Sequence, residues 1–213
     1  MAIAFDASSV GLAVGASGPL NITHVCTGAN RLLFVGCFAT TGDVVTGITY
    51  NGVSMTLVGK VTNGGETTYL YYLIAPASGS NTIAISWTGV AIVRGHGVSY
   101  TGCNQSGVPD ANTTNSNTGT TITTTLTTIA DNCWTVLYCR AQGNITAGAG
   151  TTLRGASTTS NPLDSNSVKT PAGSTSLIVN ISVSGGTNGT VMASFAPVSA
   201  SLRQNKLLTL GVG

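Results

Sequence analysis

The chain has 213 residues, of which 8 are Lys or Arg and 6 are Asp or Glu, so charged side chains make up only 7%, against roughly 25% in an ordinary soluble domain. An apolar fraction of 42% with a formal charge of +2 excludes a disordered chain, which needs low hydrophobicity and high net charge, and argues against a polybasic nucleic-acid clamp. So few ionisable groups leave little material for acid–base catalysis, and the length fits one all-β unit, since sandwiches and barrels run to roughly 200–250 residues.

The chain reads as short β runs punctuated by Gly, Asn, Pro and Ser. Ile3 to Phe5 is a first candidate strand, and Gly11, Gly15 and Gly18 break the apolar stretch that follows. Leu20, Ile22, His24 and Cys26 alternate onto one face, and Thr27 to Asn30 is a turn. Arg31 to Ala39 is a near-continuous apolar run, as expected of a central strand. Thr46 to Tyr50 and Val53 to Val61 flank Asn51-Gly52, the dipeptide that suits a type I′ hairpin turn because both positions take positive φ. After the turn at 62–65 come Thr67 to Ala75, then Ile83, Ile85 and Trp87 on one face of a strand, then Val90 to Thr101.

Gly102 to Gly119 reads as a long polar loop, suited to a crossover between sheets. Thr120 to Thr128, Cys133 to Arg140 and Thr151 to Ala156 are further strands, and Ser157 to Gly173 is a second polar loop. Ser176 to Val183 alternates cleanly, and a turn at 187–190 leads to Val191 to Phe195. About eleven strands with regular turn signals and no persuasive helix predict a two-sheet, jelly-roll-like β-sandwich over residues 1–197. Residues 198–213 form an apolar tail, read as either an extra edge strand or an arm on a neighbouring subunit.

The start of the chain has no basic n-region, and no run of about 18 apolar residues exists. The expectation is a protein retained in the cell that makes it, or released by lysis, with no membrane partner. The odd set Cys26, Cys37, Cys103, Cys133 and Cys139 predicts buried free thiols. There is no C-x-x-C pair, P-loop, dinucleotide fingerprint or EF-hand loop, so no metal or cofactor is expected. His24 and His96 read as core or strand histidines. Asp6, Asp43, Glu66, Asp110, Asp131 and Asp164 are scattered near turns, where Asp bonds local backbone. Tyr50, Tyr69, Tyr71, Tyr72, Trp87, Tyr100, Trp134 and Tyr138 read chiefly as core aromatics, with a sugar-stacking platform as the other possibility. Residues 1–139 carry a net −2 and residues 140–213 a net +4, which would let the second part dock on an acidic partner.

The order of segments resembles a known family. Asn30-Arg-Leu-Leu-Phe-Val-Gly36, Val45 to Thr56 (VTGITYNGVSMT), Tyr69 to Gly79 (YLYYLIAPASG), Asn81 to Trp87 (NTIAISW) and Gly97 to Gln105 (GVSYTGCNQ) are similar to β-sandwich domains of bacterial surface proteins and of tailed-phage structural proteins. The likeness spans residues 20–197 and rests on turn and strand residues, so it implies a fold and a setting, with no catalytic group. As a lone unit without an export signal, the chain is expected to be a virion protein assembled in the host cytoplasm. The resemblance implies a capsid decoration (cement) protein, a homo-oligomer with a trimer favoured, bound to the major capsid protein or other virion proteins and to no nucleic acid. The alternative is a fibre-type host-surface or carbohydrate-binding module. Candidate attachment residues are Ala2, Ile3 and Phe5 in the segment up to Leu20, and Leu202, Arg203, Leu207, Leu208 and Leu210 in the tail. Candidate ligand loops hold Asn104, Gln105 and Asp110, and Asn161 and Asp164.

Overall fold

Alternation and turn chemistry build seventeen antiparallel strands over residues 2–198, the part of the chain that the computed structural model describes, and no helix among them. The tail candidates Leu202, Arg203, Leu207, Leu208 and Leu210 lie outside the described residues. The all-β sandwich of the sequence reading holds, and the jelly roll occurs twice.

The first roll comprises β1 (Ala4–Ala16), β2 (Leu20–Cys26), β3 (Leu32–Ala39), β4 (Val45–Tyr50), β5 (Val53–Ser54), β6 (Thr56–Asn63), β7 (Glu66–Ile74), β8 (Gly79–Trp87) and β9 (Ala91–Thr101). Its sheets run β1-β9-β3-β7-β6 and β2-β8-β4-β5. The second comprises β10 (Ala111–Asn117), β11 (Thr121–Thr127), β12 (Trp134–Arg140), β13 (Ile145–Ala147), β14 (Thr152–Leu153), β15 (Ser160–Asp164), β16 (Ser174–Ile181) and β17 (Asn188–Phe195). Its sheets run β10-β17-β12-β15-β14 and β11-β16-β13. Replacing β1, β2, β3, β4, β6, β7, β8 and β9 by β10 to β17 in order turns the first pair of sheets into the second. The unmatched β5 is the start of a strand that passes from one sheet to the other on its way to β6.

The four sheets stack as four layers, with an apolar core in each of three gaps. Ile22, Val35, Tyr69 and Ile85 fill the first gap, Phe34, Tyr100, Val136 and Phe195 the second, and Leu137, Leu163, Val179 and Met192 the third. The two inner layers are therefore covered on both faces. This explains why every residue of β3, β15 and β17 is buried, whereas β2 and β11 bury only alternate residues. Cross-layer contacts follow the same exchange. β7 lies against β12 and β17, and its counterpart β15 lies against β3 and β9, so an approximate two-fold axis passes near the β3–β12 crossing. At that crossing the corresponding positions are unequal: a Cβ on Gly36 would stand 2.1 Å from Cγ of Tyr138. Glycine on one side is what admits the tyrosine from the other.

Several expectations are corrected. The glycines after Phe5 do not end the first strand. β1 runs on to Ala16, and Gly11 is there because a Cβ would meet Ile22 Cγ1 at 2.6 Å. The expected loop from Gly102 to Gly119 holds a linker between the rolls and then β10, an edge strand whose polarity disguises it. The loop expected from Ser157 to Gly173 contains β15, whose polar residues are buried against protein partners. The short β13 is not among the expected strands. Asn51 and Gly52 do take positive φ, 50° and 77°. All five cysteines are buried free thiols.

Replacing Gly36 with Ala forces the two inner layers apart, and overpacking of this kind costs about 1–3 kcal/mol or more. Thermal unfolding should show that loss for Gly36→Ala and almost none for Gly47→Ala, whose Cβ would meet nothing within 4 Å.

Candidate functional site

Polar side chains inside an apolar stack must satisfy one another, because an unpaired buried polar group costs several kcal/mol. Among the described residues the longest such chain joins β1, β2 and β9. Ser99 donates to Asp6 Oδ2 at 2.8 Å. Its oxygen is then free to accept from His24 Nε2, 3.1 Å away. That leaves His24 Nδ1 as an acceptor, 2.9 Å from the Ser9 hydroxyl. The direction of donation, Ser9 to His24 to Ser99 to Asp6, fixes a neutral imidazole protonated on Nε2. Burial lowers the His24 pKa to about 4, with the Asp6 charge opposing. Burial would raise the Asp6 carboxyl, but the bonds from Thr27 and Ser99 outweigh it and hold its pKa below the ordinary value.

These residues have the composition of a nucleophilic relay, yet the geometry is that of a brace. A Cβ at Gly97 would stand 3.0 Å from Ser9 Oγ and 3.1 Å from His24 Nδ1, so glycine is what lets β9 pass this close to the pair. The second roll repeats the acidic end of the brace. Asp110 accepts from the Ile129 and Ala130 amides at 2.7 and 3.0 Å and from Ser194 Oγ at 3.1 Å. Asp6 accepts from the Thr27 amide at 2.8 Å and from Ser99 at the matching place on β9. In each roll one Asp at the start of the first strand ties the end of the second strand to a serine on the last. The sequence reading placed Asp110 in a ligand loop and gave Asp6 no partner. The paired Asp-Ala steps, Asp6-Ala7 and Asp110-Ala111, are the signal that would have found both.

The other candidates are likewise committed to the fold. Asp164 is fully buried and accepts from Tyr100 at 2.9 Å and from Arg154 Nε at 2.7 Å. Burial and that neighbouring carboxylate push the Tyr100 hydroxyl well above its usual pKa. Asn161 is fully buried, and its side chain bonds the Ser157 backbone in both directions. Gln105 donates to the carbonyls of Cys103 and Arg31 at 2.9 and 3.3 Å. Asn104 is half-buried on the wall of a cleft of about 540 Å³ that also takes in Ala2, Asp131, Asn132, Val168 and Val198. Ile3 is buried in the core between the inner layers. Phe5 is half-buried beneath the Arg154 guanidinium, 4.2 Å from the ring centroid. Only Ala2 of the three N-terminal candidates is exposed. Tyr50, Tyr69, Tyr71, Trp87, Tyr100, Trp134 and Tyr138 are buried, and Tyr72 is half-buried.

Among the described residues, no group of three or more His, Cys, Asp or Glu converges as a metal site, and no helix is long and apolar enough to cross a membrane.

One surface feature stands apart. β1 is an edge strand, and its outward side chains Val10, Leu12 and Val14 are 48%, 46% and 65% exposed. The corresponding outward positions of the second roll's edge strand are polar: Asn112, Thr114 and Ser116 match Ser8, Val10 and Leu12 when Ala7, paired with Ser99, is matched to Ala111, paired with Ser194.

Comparison with protein-family models, with curated proteins and with solved structures gives no match.

Two predictions concern these polar groups. Asp6→Asn and Asp110→Asn should each cost about 1.5–3 kcal/mol in denaturant unfolding, since each weakens bonds to a charged acceptor. The second concerns pH. Burial lowers His24 to about 4, and burial together with the Arg94 charge lowers His96 to about 3. Both titrate near 6.5 when unfolded, so their contribution is complete above that pH and is lost as the pH falls toward the folded values. Between pH 7 and pH 5 the loss is on the order of 2 kcal/mol per histidine, and equilibrium unfolding across that range should show it. A slope unchanged in His24→Gln would remove His24 from the account.

Proposed function

We propose that the chain is a structural protein of a tailed-phage particle, of the capsid decoration (cement) type, assembled in the host cytoplasm and acting as a homo-oligomer, a trimer being favoured. It works by burying surface against the major capsid protein or other virion proteins, many times over one shell. A standard interface buries about 1,600 Å², and attachment through several symmetric copies makes loss slow.

The observation that carries this reading is the outward row Val10, Leu12 and Val14 on the unpaired edge of β1. Natural edge strands are normally blunted by charge, Pro or a cover. Here no charged residue occurs between Asp6 and Arg31, while the twin strand β10 is polar at the corresponding places. An edge of that kind is suited to being covered. Within the N-terminal segment, attachment therefore falls on Ala2 and on the Val10–Val14 row rather than on Ile3 and Phe5, which face inward. The low charge of the whole surface fits the same role, since covering Thr, Ser, Asn and Gly costs far less than covering ions.

A second reading is a fibre-type, carbohydrate-binding module. Its support is the cleft beside Asn104, where Asp131 and Asn132 meet the apolar Val168 and Val198. A glycan array probed with the intact protein separates the two, and a blank array removes the second.

Truncation after Pro197, and separately Val10→Thr with Leu12→Ser, should each lower occupancy on purified particles. The copy number of the intact protein should match the number of capsomers rather than that of a tail structure. Occupancy unchanged in both variants would sink the attachment assignment, and a copy number on the scale of a tail would sink the decoration role.

A further inference from the structure

We propose that the β1 edge receives an extended segment of a partner protein as an added strand, with apolar side chains of that segment against Val10 and Leu12 and an Asp or Glu of it paired with Arg94. The inference rests on the reading of this edge as an attachment surface, and it names the chemistry of what attaches.

The backbone supplies the first argument. β1 pairs with β9 alone, so the N–H and C=O groups along its other side have no ladder among the described residues. Pairing is regular from Ala7–Ser99 to Ala13–Val93 and is bounded by a register shift at either end. A flat stretch of about 20 Å at the rise of a strand is therefore presented whole. Bulges, prolines and charges are the usual devices that blunt an edge, and Ala7 to Ala13 holds none of them. A strand added to such an edge gains affinity from main-chain bonds and selectivity from its alternate side chains.

The second argument is the row itself. Val10 and Leu12 are 48% and 46% exposed, where the twin edge carries Thr114 and Ser116. They line an open groove of about 470 Å³ with Arg94, Ala156, Ser157 and Thr158. An added strand would lay every second side chain over this groove.

The third argument is charge. Leu12 is paired with Arg94, which places the guanidinium on the same face as the row. Three arginines lie at the seam between the rolls. Arg140 has Glu66 and Arg154 has Asp164. Arg94 is half-buried and donates to the Ser157 hydroxyl, but no Asp or Glu among the described residues pairs with it. Its charge acts instead on the neighbouring His96, where it adds to burial in lowering the pKa to about 3. A half-buried guanidinium without a counter-ion gains most from a carboxylate brought by a ligand, because charge-assisted bonds are about twice as strong as neutral ones. About 10 Å, two strand spacings, separate the Arg94 backbone from an added residue level with Leu12, and two long side chains meet across that distance.

The same charge argues against a second copy as the occupant. A second β1 would bring apolar side chains but no available acid, since its Asp6 already accepts from the Thr27 amide and from Ser99. It would also bring a second Arg94.

The test uses the full-length protein. The probe is the capped synthetic peptide Val-Thr-Val-Thr-Glu-Thr-Val-Thr-Val, and its control carries Lys in place of Glu. At saturation the Glu peptide should protect, about tenfold in hydrogen exchange, those amides of residues 7–13 that β9 does not bond. By fluorescence anisotropy it should bind about tenfold more tightly than the Lys peptide. Arg94→Gln should abolish that preference, and Val10→Thr with Leu12→Ser should weaken both peptides about tenfold. Should Arg94→Gln fail to fold, the comparison of the two peptides on the unaltered protein still decides the charge.

No binding of the Glu peptide, protection elsewhere than on β1, or equal affinity for the two peptides overturns the proposal. Protection of the same amides without peptide, appearing as the protein concentration rises together with a larger mass in solution, overturns it in favour of a second copy. Particle occupancy is a separate reading. Occupancy lost in Val10→Thr with Leu12→Ser beside a blank peptide result removes strand addition and leaves the proposed function standing, whereas bound peptide beside unchanged occupancy does the reverse.

Discussion

The constraint on which the rest of the structure depends is the burial of two sheets on both faces. An antiparallel sheet usually keeps one face in water and shows it as polar alternation. Here β1-β9-β3-β7-β6 and β10-β17-β12-β15-β14 lie between an outer sheet and each other, so an ionised side chain at the seam between them needs partners. Arg154 is tolerated because Asp164 takes its Nε–H at 2.7 Å and Phe5 lies beneath its guanidinium. Arg140 is tolerated because Glu66 accepts at 2.9 Å and Phe38 lies 4.6 Å below it. Both pairs sit at the margin between the inner layers, where a guanidinium can keep one side near water.

The same constraint accounts for the inequality of the two rolls. Two sheets related by an approximate two-fold present the same position to each other where they cross. A large side chain on both would clash, and a small one on both would leave a void. Gly36 against Tyr138 resolves this by being different in the two copies. The edges diverge in a parallel way. β6 has eight residues and β14 has two, so β6 lies across the seam against β10 and β17, while Val10, Leu12 and Val14 on β1 stay exposed.

Much of the architecture was legible from residues alone. β2, β8, β11 and β16 announce themselves by alternation, and β3 by a continuous apolar run. Asn51-Gly52 fixes its hairpin because both residues take positive φ. Neither the second jelly roll nor the inner layers could be read from period alone. β15, with the sequence SNPLD, is as buried as β3, yet its Asp164 is held by Tyr100, a partner distant in sequence that no local pattern displays. β10 reads as loop because its outward residues are Asn, Thr and Ser. The duplication did leave traces: Pro76-Ala-Ser-Gly79 beside Pro171-Ala-Gly173, Val98-Ser-Tyr100 beside Ala193-Ser-Phe195, and Asn30 beside Asn132, both with positive φ at 52° and 61°. A search for internal repeats ranks above strand counting in a chain of this kind. The acidic braces were missed for a related reason, since each Asp is isolated in sequence and acquires its meaning only beside its twin.

The low charge has two origins that pull in the same direction. Two of the four layers are interior, which removes their strands from the set of positions where Lys and Glu are harmless. The remaining outward positions, on β2, β10, β11 and β16, are mostly Thr, Ser and Asn. The first origin is a requirement of the stack, while the second is not, because an outward strand position exposed to water accepts charge without penalty. A surface kept neutral where the fold would allow ions is one whose covering by another protein releases water without stripping a charge of its hydration. The apolar row on β1 shows the same choice at a single edge, where the twin strand demonstrates that polar residues would have served the fold equally well.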